Sequence, residues 1–226
     1  MATQAFEKDN LPTAAGDLTI TFLGHGSLLF EFNQQRIYVD PYGQVADYAK
    51  LPPADLVLVT HEHGDHLDPK ALAAIRTKQT QVVGSPAVSK AVSGCHAISN
   101  GEQVVINGIL IEATPAYNVV HKRENGQPFH PKGSGNGYVL TFGDVRVYVA
   151  GDTEDIPEMK DLQDIDVAFL PMNLPYTMTP EMAARAAGMF RPKIVYPYHF
   201  GSSDTEKLVK LLGDEDWVEV RVRQMA

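Results

Sequence analysis

Between Asp55 and Asp68 the chain reads DLVLVTHEHGDHLD, an apolar run that breaks into three histidines and two acids within six positions, His61 to His66. Imidazoles and carboxylates set that densely are costly to desolvate unless a cation binds them. His61 and His63 stand two apart, so in an extended segment they point the same way, and Glu62 between them points to the other side. Gly64 lets the chain turn without steric penalty and bring Asp65 and His66 back toward a second point. One short loop can therefore serve two neighbouring ions. Imidazole nitrogen and carboxylate oxygen suit zinc, iron or manganese, and the lack of a thiolate here speaks against a purely structural zinc site.

A metal site needs ligands from elsewhere, and the chain offers them at comparable places. VRVYVA runs into Gly151 and Asp152, KIVYPY runs into His199, and ILIEATPA feeds a loop that carries His121 and His130. Each of these apolar runs reads as a strand delivering a coordinating side chain just past its carboxyl end. If those ends share one edge, the side chains converge. Competing readings exist for each position taken alone: a turn or cap for Asp152 in GDT, a satisfied half-buried imidazole for His199, a turn residue for His25 in GHGS. His96 and Cys95 read as structural, and Asn173 and the tyrosine of YTMT read equally as pocket lining or as packing.

The elements that must position these groups alternate in type. DLTITF, SLLFEF and RIYVD read as an antiparallel meander, followed by the buried strand DLVLVT. DPKALAAIR reads as a helix with Asp68 as N-cap and Pro69 in its first turn. TQVVG is a strand and SPAVSKAV a short helix. The second half repeats the order: QVVING, ILIEATPA, GYVLTF and VRVYVA as strands, then DVAFLP, the helix TPEMAARAAGMF capped by Thr179, KIVYPY, the helix SDTEKLVKLLG, and a final strand WVEVRV. Two sheets packed face to face with helices outside would bury both sets, a four-layer αββα sandwich of the α/β (α+β) class. Residues 1–226 read as one domain, with 1–16 as an N-terminal extension. The longest irregular stretch, 117–137, has the length at which loops are usually functional.

Composition limits the rest. The chain has 226 residues, 44% of them hydrophobic, a formal charge of −9 and one cysteine. That is enough chain for one sizeable core, excludes an intramolecular disulfide framework, and gives no general attraction to nucleic acid or anionic membrane. No run reaches the roughly 18 apolar residues of a membrane span, and the N-terminus lacks the pattern of a signal peptide. A cytoplasmic location is the default expectation, compatible also with a mature exported form. The oligomeric state is not legible.

THEHGDHLD resembles the signature motif of the metallo-β-lactamase fold superfamily, and the likeness runs along essentially the whole chain. TFLGHGSLLFEF with IYVDPY is similar to that family's opening meander, VYVAGDT to its bridging-aspartate motif, and YPYHFG to its last histidine motif. AYN, HPKGSGNGYVL, GDTEDIPEM and LPMNLPYTMTPEMAA most resemble a branch of small metal-dependent hydrolases related to L-ascorbate-6-phosphate lactonase and, more distantly, to N-acylphosphatidylethanolamine phospholipase D. The resemblance implies the αββα fold and two divalent ions, zinc first, with manganese or iron as alternatives. It implies that His61 and His63 bind the first ion, that Asp65, His66 and His199 bind the second, and that Asp152 bridges both. The family draws a third histidine for the first ion from the loop after ILIEATPA, where this sequence has AYN. His130 matches the branch's pattern and is favoured, while spacing alone also permits His121. The implied chemistry is attack by a hydroxide held between the ions on a small ester, lactone or amide. Asp65 orients that hydroxide, and metal-bound water or a histidine such as His25 protonates the leaving group. A phosphodiesterase or phosphate-ester hydrolase is the second expectation, and a metal-binding protein without turnover the third.

Overall fold

The computed structural model describes residues 5–226. The first sheet is built from β1 (Glu7–Thr13), β2 (Gly16–Gly24), β3 (Ser27–Phe32), β4 (Gln35–Val39), β5 (Leu56–Val59), β6 (Gln81–Gly84) and β7 (Cys95–Ala97), side by side in that order. The second holds β8 (Gln103–Ile106), β9 (Ile109–Ala116), β10 (Gly135–Phe142), β11 (Val145–Val149), β12 (Val167–Pro171), β13 (Ile194–Tyr198) and β14 (Glu219–Val220), again in chain order. Each sheet opens as an antiparallel meander and turns parallel at its fourth strand, where β4 pairs with β5 and β11 with β12.

Period-two alternation decides which side chains face inward. Leu18, Ile20 and Phe22 of β2 and Tyr138, Leu140 and Phe142 of β10 enter one shared core between the sheets. Residues of opposite parity, such as Val139, Tyr148 and Leu170, face outward and are covered by α3 (Pro180–Phe190) and α4 (Thr205–Leu212). On the far side, α1 (Pro69–Ile75) and α2 (Pro86–Ala91) cover Tyr38, Val57 and Val82. The order helix, sheet, sheet, helix is the expected four-layer αββα sandwich.

Helix ends follow the sequence signals. The Asp68 carboxylate accepts from the Lys70 and Ala71 amides at the start of α1, and the Thr179 hydroxyl accepts from the Met182 amide at the start of α3, each with a proline in the first turn. Three segments depart from expectation. The segment expected as an N-terminal extension (1–16) contains strand β1, antiparallel to β2 throughout Glu7–Thr13. It is anchored because Asp9 receives a bidentate pair of hydrogen bonds from Arg223 at 2.8 Å and one from the Tyr196 hydroxyl. β7 is an additional short edge strand. The expected final strand WVEVRV contracts to two residues, and the chain just beyond it meets β1, where the Gln224 amide donates to Glu7.

Candidate metal centre

All the coordinating side chains but His130, which comes from the loop between β9 and β10, leave the carboxyl ends of parallel or near-central strands, and local backbone geometry aims them. β5 hands over at Thr60 to His61–His66, β11 to Asp152, and β13 to His199. Gly151 between β11 and Asp152 has φ 66°, and a Cβ there would lie 2.8 Å from the Asn136 carbonyl oxygen, so only glycine fits the turn that presents Asp152. His25, Asp40 and His199 adopt positive φ of 54°, 46° and 45°. Three strained non-glycine residues at one place mark a position where the surrounding structure holds side chains in an imposed direction.

The geometry sorts the side chains into two groups around one carboxylate. His61 Nε2 lies 3.0 Å from His63 Nδ1, and His130 supplies the third nitrogen of that group. His66 Nε2 and His199 Nε2 lie 3.1 Å apart, with Asp65 Oδ2 at 3.8 and 3.6 Å from them. Asp152 stands between. Its Oδ2 is 3.3 Å from His130 Nε2 and 4.0 Å from His61 Nε2, while its Oδ1 is 3.4 Å from His66 Nε2 and 3.5 Å from His199 Nε2. Each oxygen of one buried carboxylate thus faces a different histidine group.

The outer hydrogen bonds fix which imidazole nitrogens carry protons. Asp40, fully buried, accepts from the Thr60 amide at 2.8 Å, from the Thr60 hydroxyl at 2.7 Å and from His66 Nδ1 at 2.7 Å. The Thr60 hydroxyl has spent its proton on Asp40, so it accepts from His61 Nδ1 at 3.0 Å. Asn118 Oδ1 accepts from both the backbone amide and Nδ1 of His130 at 2.8 Å. All three rings therefore turn an Nε2 lone pair toward Asp152. Lone pairs converging on an anion in a buried pocket repel one another unless a cation sits among them, and Asp152 Oδ1 has no hydrogen-bond partner among the described residues. The donor set fits divalent ions with nitrogen and oxygen preference, in two neighbouring positions.

Protonation preferences point the same way. Burial holds His61 well below the usual histidine range and pushes His130 down to about 4, so both keep neutral, coordinating rings. Burial works against charge on His66 as well, but Asp152 and Asp40 outweigh it and raise this ring well above the ordinary value, so without a cation Nε2 takes up a proton, the positive charge that a bound ion would replace. Asp152 and Asp65 are pushed upward by burial and pulled below the usual range more strongly by the surrounding histidines, so both stay ionised. The centre is built to hold positive charge.

His61, His63, His66, His130, Asp65, Asp152 and His199 come together as the sequence reading grouped them. His25 joins the second group, with Nε2 3.1 Å from Asp65 Oδ2 and its ring 3.7 Å from that of His199. His121 does not reach the centre. Its Nδ1 lies 2.7 Å from Glu154, and its ring is partly exposed. Glu62 points to solvent. Asp40, Thr60, Asn118 and Glu154 were not among the predicted site residues. Glu154 is fully buried and accepts from the amides of Val119 at 2.7 Å, Val120 at 2.6 Å and His121 at 2.7 Å, and from Asn118 Nδ2 at 3.1 Å. It pins the start of the loop and orients Asn118, which orients His130. A sequence signal existed for Asp40, a carboxylate ending the apolar run IYVD. Asn118 occupies the AYN position where a histidine was expected.

Comparison with known proteins agrees with this geometry. A family described as the β-lactamase superfamily domain matches residues 19–199. A UPF0173 metal-dependent hydrolase of Thermococcus kodakarensis is 32% identical over 214 residues, covering 87% of this chain and 92% of its own. A crystal structure from Parabacteroides distasonis is 47% identical and superposes with a TM-score of 0.94, covering 98% of this chain and 100% of its own. Igni18, a metallo hydrolase from Ignicoccus hospitalis, is 25% identical with a TM-score of 0.76, over 92% of this chain and 95% of its own.

Proposed function

The chain belongs to the metallo-β-lactamase superfamily and is a metal-dependent hydrolase of it, and from that premise we propose a two-ion centre that hydrolyses a small ester, lactone or amide. The observation that carries this reading is the division of Asp152 between two histidine groups, one on each carboxylate oxygen. His61, His63 and His130 would hold one ion, Asp65, His66 and His199 the other, and Asp152 both. Two divalent ions so held would supply an activated water near neutral pH and polarisation of the scissile carbonyl.

The remaining steps fall to the chain's own groups. Asp65 stays ionised and orients the attacking water through its carboxylate. His25, against Asp65 and on the more open side of the centre, is placed to carry a proton toward the leaving group. Asp40, Thr60 and Asn118 keep the coordinating rings in their tautomers. The lactone arm follows the sequence likeness to L-ascorbate-6-phosphate lactonase. Residues 1–226 act as one domain in this reading, because both sheets share one core and Asp9 ties the first strand to the last segment. No helix among the described residues is long and apolar enough to cross a membrane.

The test pairs elemental analysis of untreated protein with a panel of p-nitrophenyl acetate, several lactones and bis-p-nitrophenyl phosphate, each with zinc, manganese or iron. Two equivalents of metal and chelator-sensitive turnover of an ester or lactone are expected. Turnover of the phosphodiester alone would redirect the substrate class. Metal without turnover of anything would favour a binding role.

A further inference from the structure

Six large hydrophobic side chains are notably exposed among the described residues, and four of them, Val119, Val120, Leu174 and Tyr176, stand on two loops, 117–134, which also carries His130, and 172–179. The loops are joined. Asn118 Nδ2 donates to the Tyr176 carbonyl at 2.8 Å, and the Tyr176 ring meets Phe129 edge-on at 5.0 Å. Phe129 directly precedes His130, and Asn118 holds His130 through two hydrogen bonds. Both loops therefore meet next to His130, one through Asn118 and the other through the contacts of Tyr176 with Asn118 and Phe129.

Its exposure is structurally enforced. The amides of Val119 and Val120 both donate to the buried Glu154 carboxylate, which fixes this backbone while the two valine side chains stay 51% and 66% exposed. The other side of the centre is polar, where His25, Asp65 and Tyr42 face one another. An apolar patch held open beside a reactive centre marks a contact surface. One polar and one apolar flank suit a substrate whose scissile group lies at the metals and whose hydrocarbon part extends over the loops.

We propose that Val119, Val120, Leu174 and Tyr176 form the subsite for an alkyl or aryl group of several carbons on the acyl side of the substrate. The inference rests on the hydrolase reading of the metal centre. It selects medium-chain acyl esters or amides over acetyl ones and over fully polar lactones.

The test reads binding as well as turnover. Zinc-loaded protein is titrated calorimetrically with acetate, butyrate, hexanoate and octanoate, whose carboxylates mimic the product of acyl hydrolysis. Affinity should rise roughly two- to threefold per methylene, less than the nearly fourfold of complete burial, because the rim stays half open. Val120→Ser and Leu174→Ser should flatten that rise with metal content unchanged. Binding that is absent, or that ignores chain length in the unmodified protein, overturns the subsite. So does a concentration-dependent dimer that either serine variant abolishes while the chain-length response is flat, since the patch would then belong to a second copy. The ester panel judges the underlying reading separately. Length-dependent binding without ester turnover would keep the subsite and sink the ester assignment, and acetyl and octanoyl esters cleaved alike would do the reverse.

Discussion

The two histidine groups that share Asp152 are built by different means. The second, with His66, Asp65 and His199, draws every member from a residue one to seven positions past a buried strand, and Asp40 at the end of another strand braces it. The first takes His61 and His63 from the same strand end but depends for its third member on His130, which sits within an irregular run of 18 residues between β9 and β10. That loop has no strand to fix it. A buried carboxylate, Glu154, and one amide side chain, Asn118, do so instead. A sheet edge fixes ligands through the register of its strands. A loop needs hydrogen bonds to supply the same fixity, and those bonds become points where the site can be undone selectively.

The largest effect should come from the residue common to both groups. Asp152→Ala removes the carboxylate on which the two sets of Nε2 atoms converge and leaves them facing an emptied buried space. Bound metal should fall below two ions per chain, with turnover lost, as read by elemental analysis after gel filtration. Retention of two ions at native affinity would remove Asp152 from its bridging position. Next in size is His130→Ala. It should weaken one ion more than the roughly 10- to 100-fold typical of outer partners, whereas His121→Ala should leave metal affinity nearly unchanged because that ring contacts Glu154. A reversed ranking would exchange the two histidines.

The sequence was most informative where ligands follow strands. DLVLVT, VRVYVA and KIVYPY announce their own carboxyl ends, and the alternation of inward and outward residues fixes which face the other sheet. Grouping His61 with His63 and Asp65 with His66 needed only the two-residue period and a glycine. The loop ligand was a choice between two histidines because nothing local reveals that Glu154, 33 residues beyond His121, captures the nearer one. Asp40 went unremarked as a site residue because a carboxylate ending a strand before Pro41 reads as a turn. β1 was missed for a plainer reason. EKDNLPT lacks an apolar face, and its pairing depends on Asp9 meeting Arg223, 214 positions away.

The brace of the second group and that of the first should differ in kind when broken. Asp40→Asn keeps the shape but offers an amide where His66 Nδ1 and the Thr60 hydroxyl donate, so metal affinity should drop by about 10- to 100-fold with the loop intact. Glu154→Gln should cost folding stability as well. Its amide cannot accept from all four N–H groups that now converge there, and each buried donor left unpaired costs about 1–3 kcal/mol. The pH dependence has a definite sign. Burial raises the Glu154 pKa, but the amides of Val120 and His121 and the Asn118 side chain outweigh it, so the folded value lies below the ordinary glutamate one. Its stabilisation is then complete above the ordinary value and lost as pH falls through the depressed one. In urea unfolding of chelated protein, the gap between unmodified and Glu154→Gln chains should be widest near neutrality and close in acid. A gap that stays constant to pH 3 would show that charge on Glu154 is irrelevant to the loop.

The smallest effect belongs to the edge farthest from the metals in construction. Asp9 joins β1 to the C-terminal segment through Arg223 and Tyr196, and those bonds overcome burial to hold its pKa below the usual carboxylate value. The arginine is partly solvent-exposed, so the pair is screened and Asp9→Ala should cost only about 1 kcal/mol. Being a depressed carboxylate, its contribution is present above the ordinary aspartate pKa and fades below it. Metal content and affinity should change little, because β1 pairs only with β2 and Asp9 meets β13 only at the tip of the Tyr196 side chain, while β12 and β14 hold the β13 backbone that leads to His199. If Asp9→Ala did release an ion, the sheet edge and the centre would be one cooperative unit, and the contrast between strand-held and loop-held ligands would have to give way to a single scaffold that loosens everywhere at once.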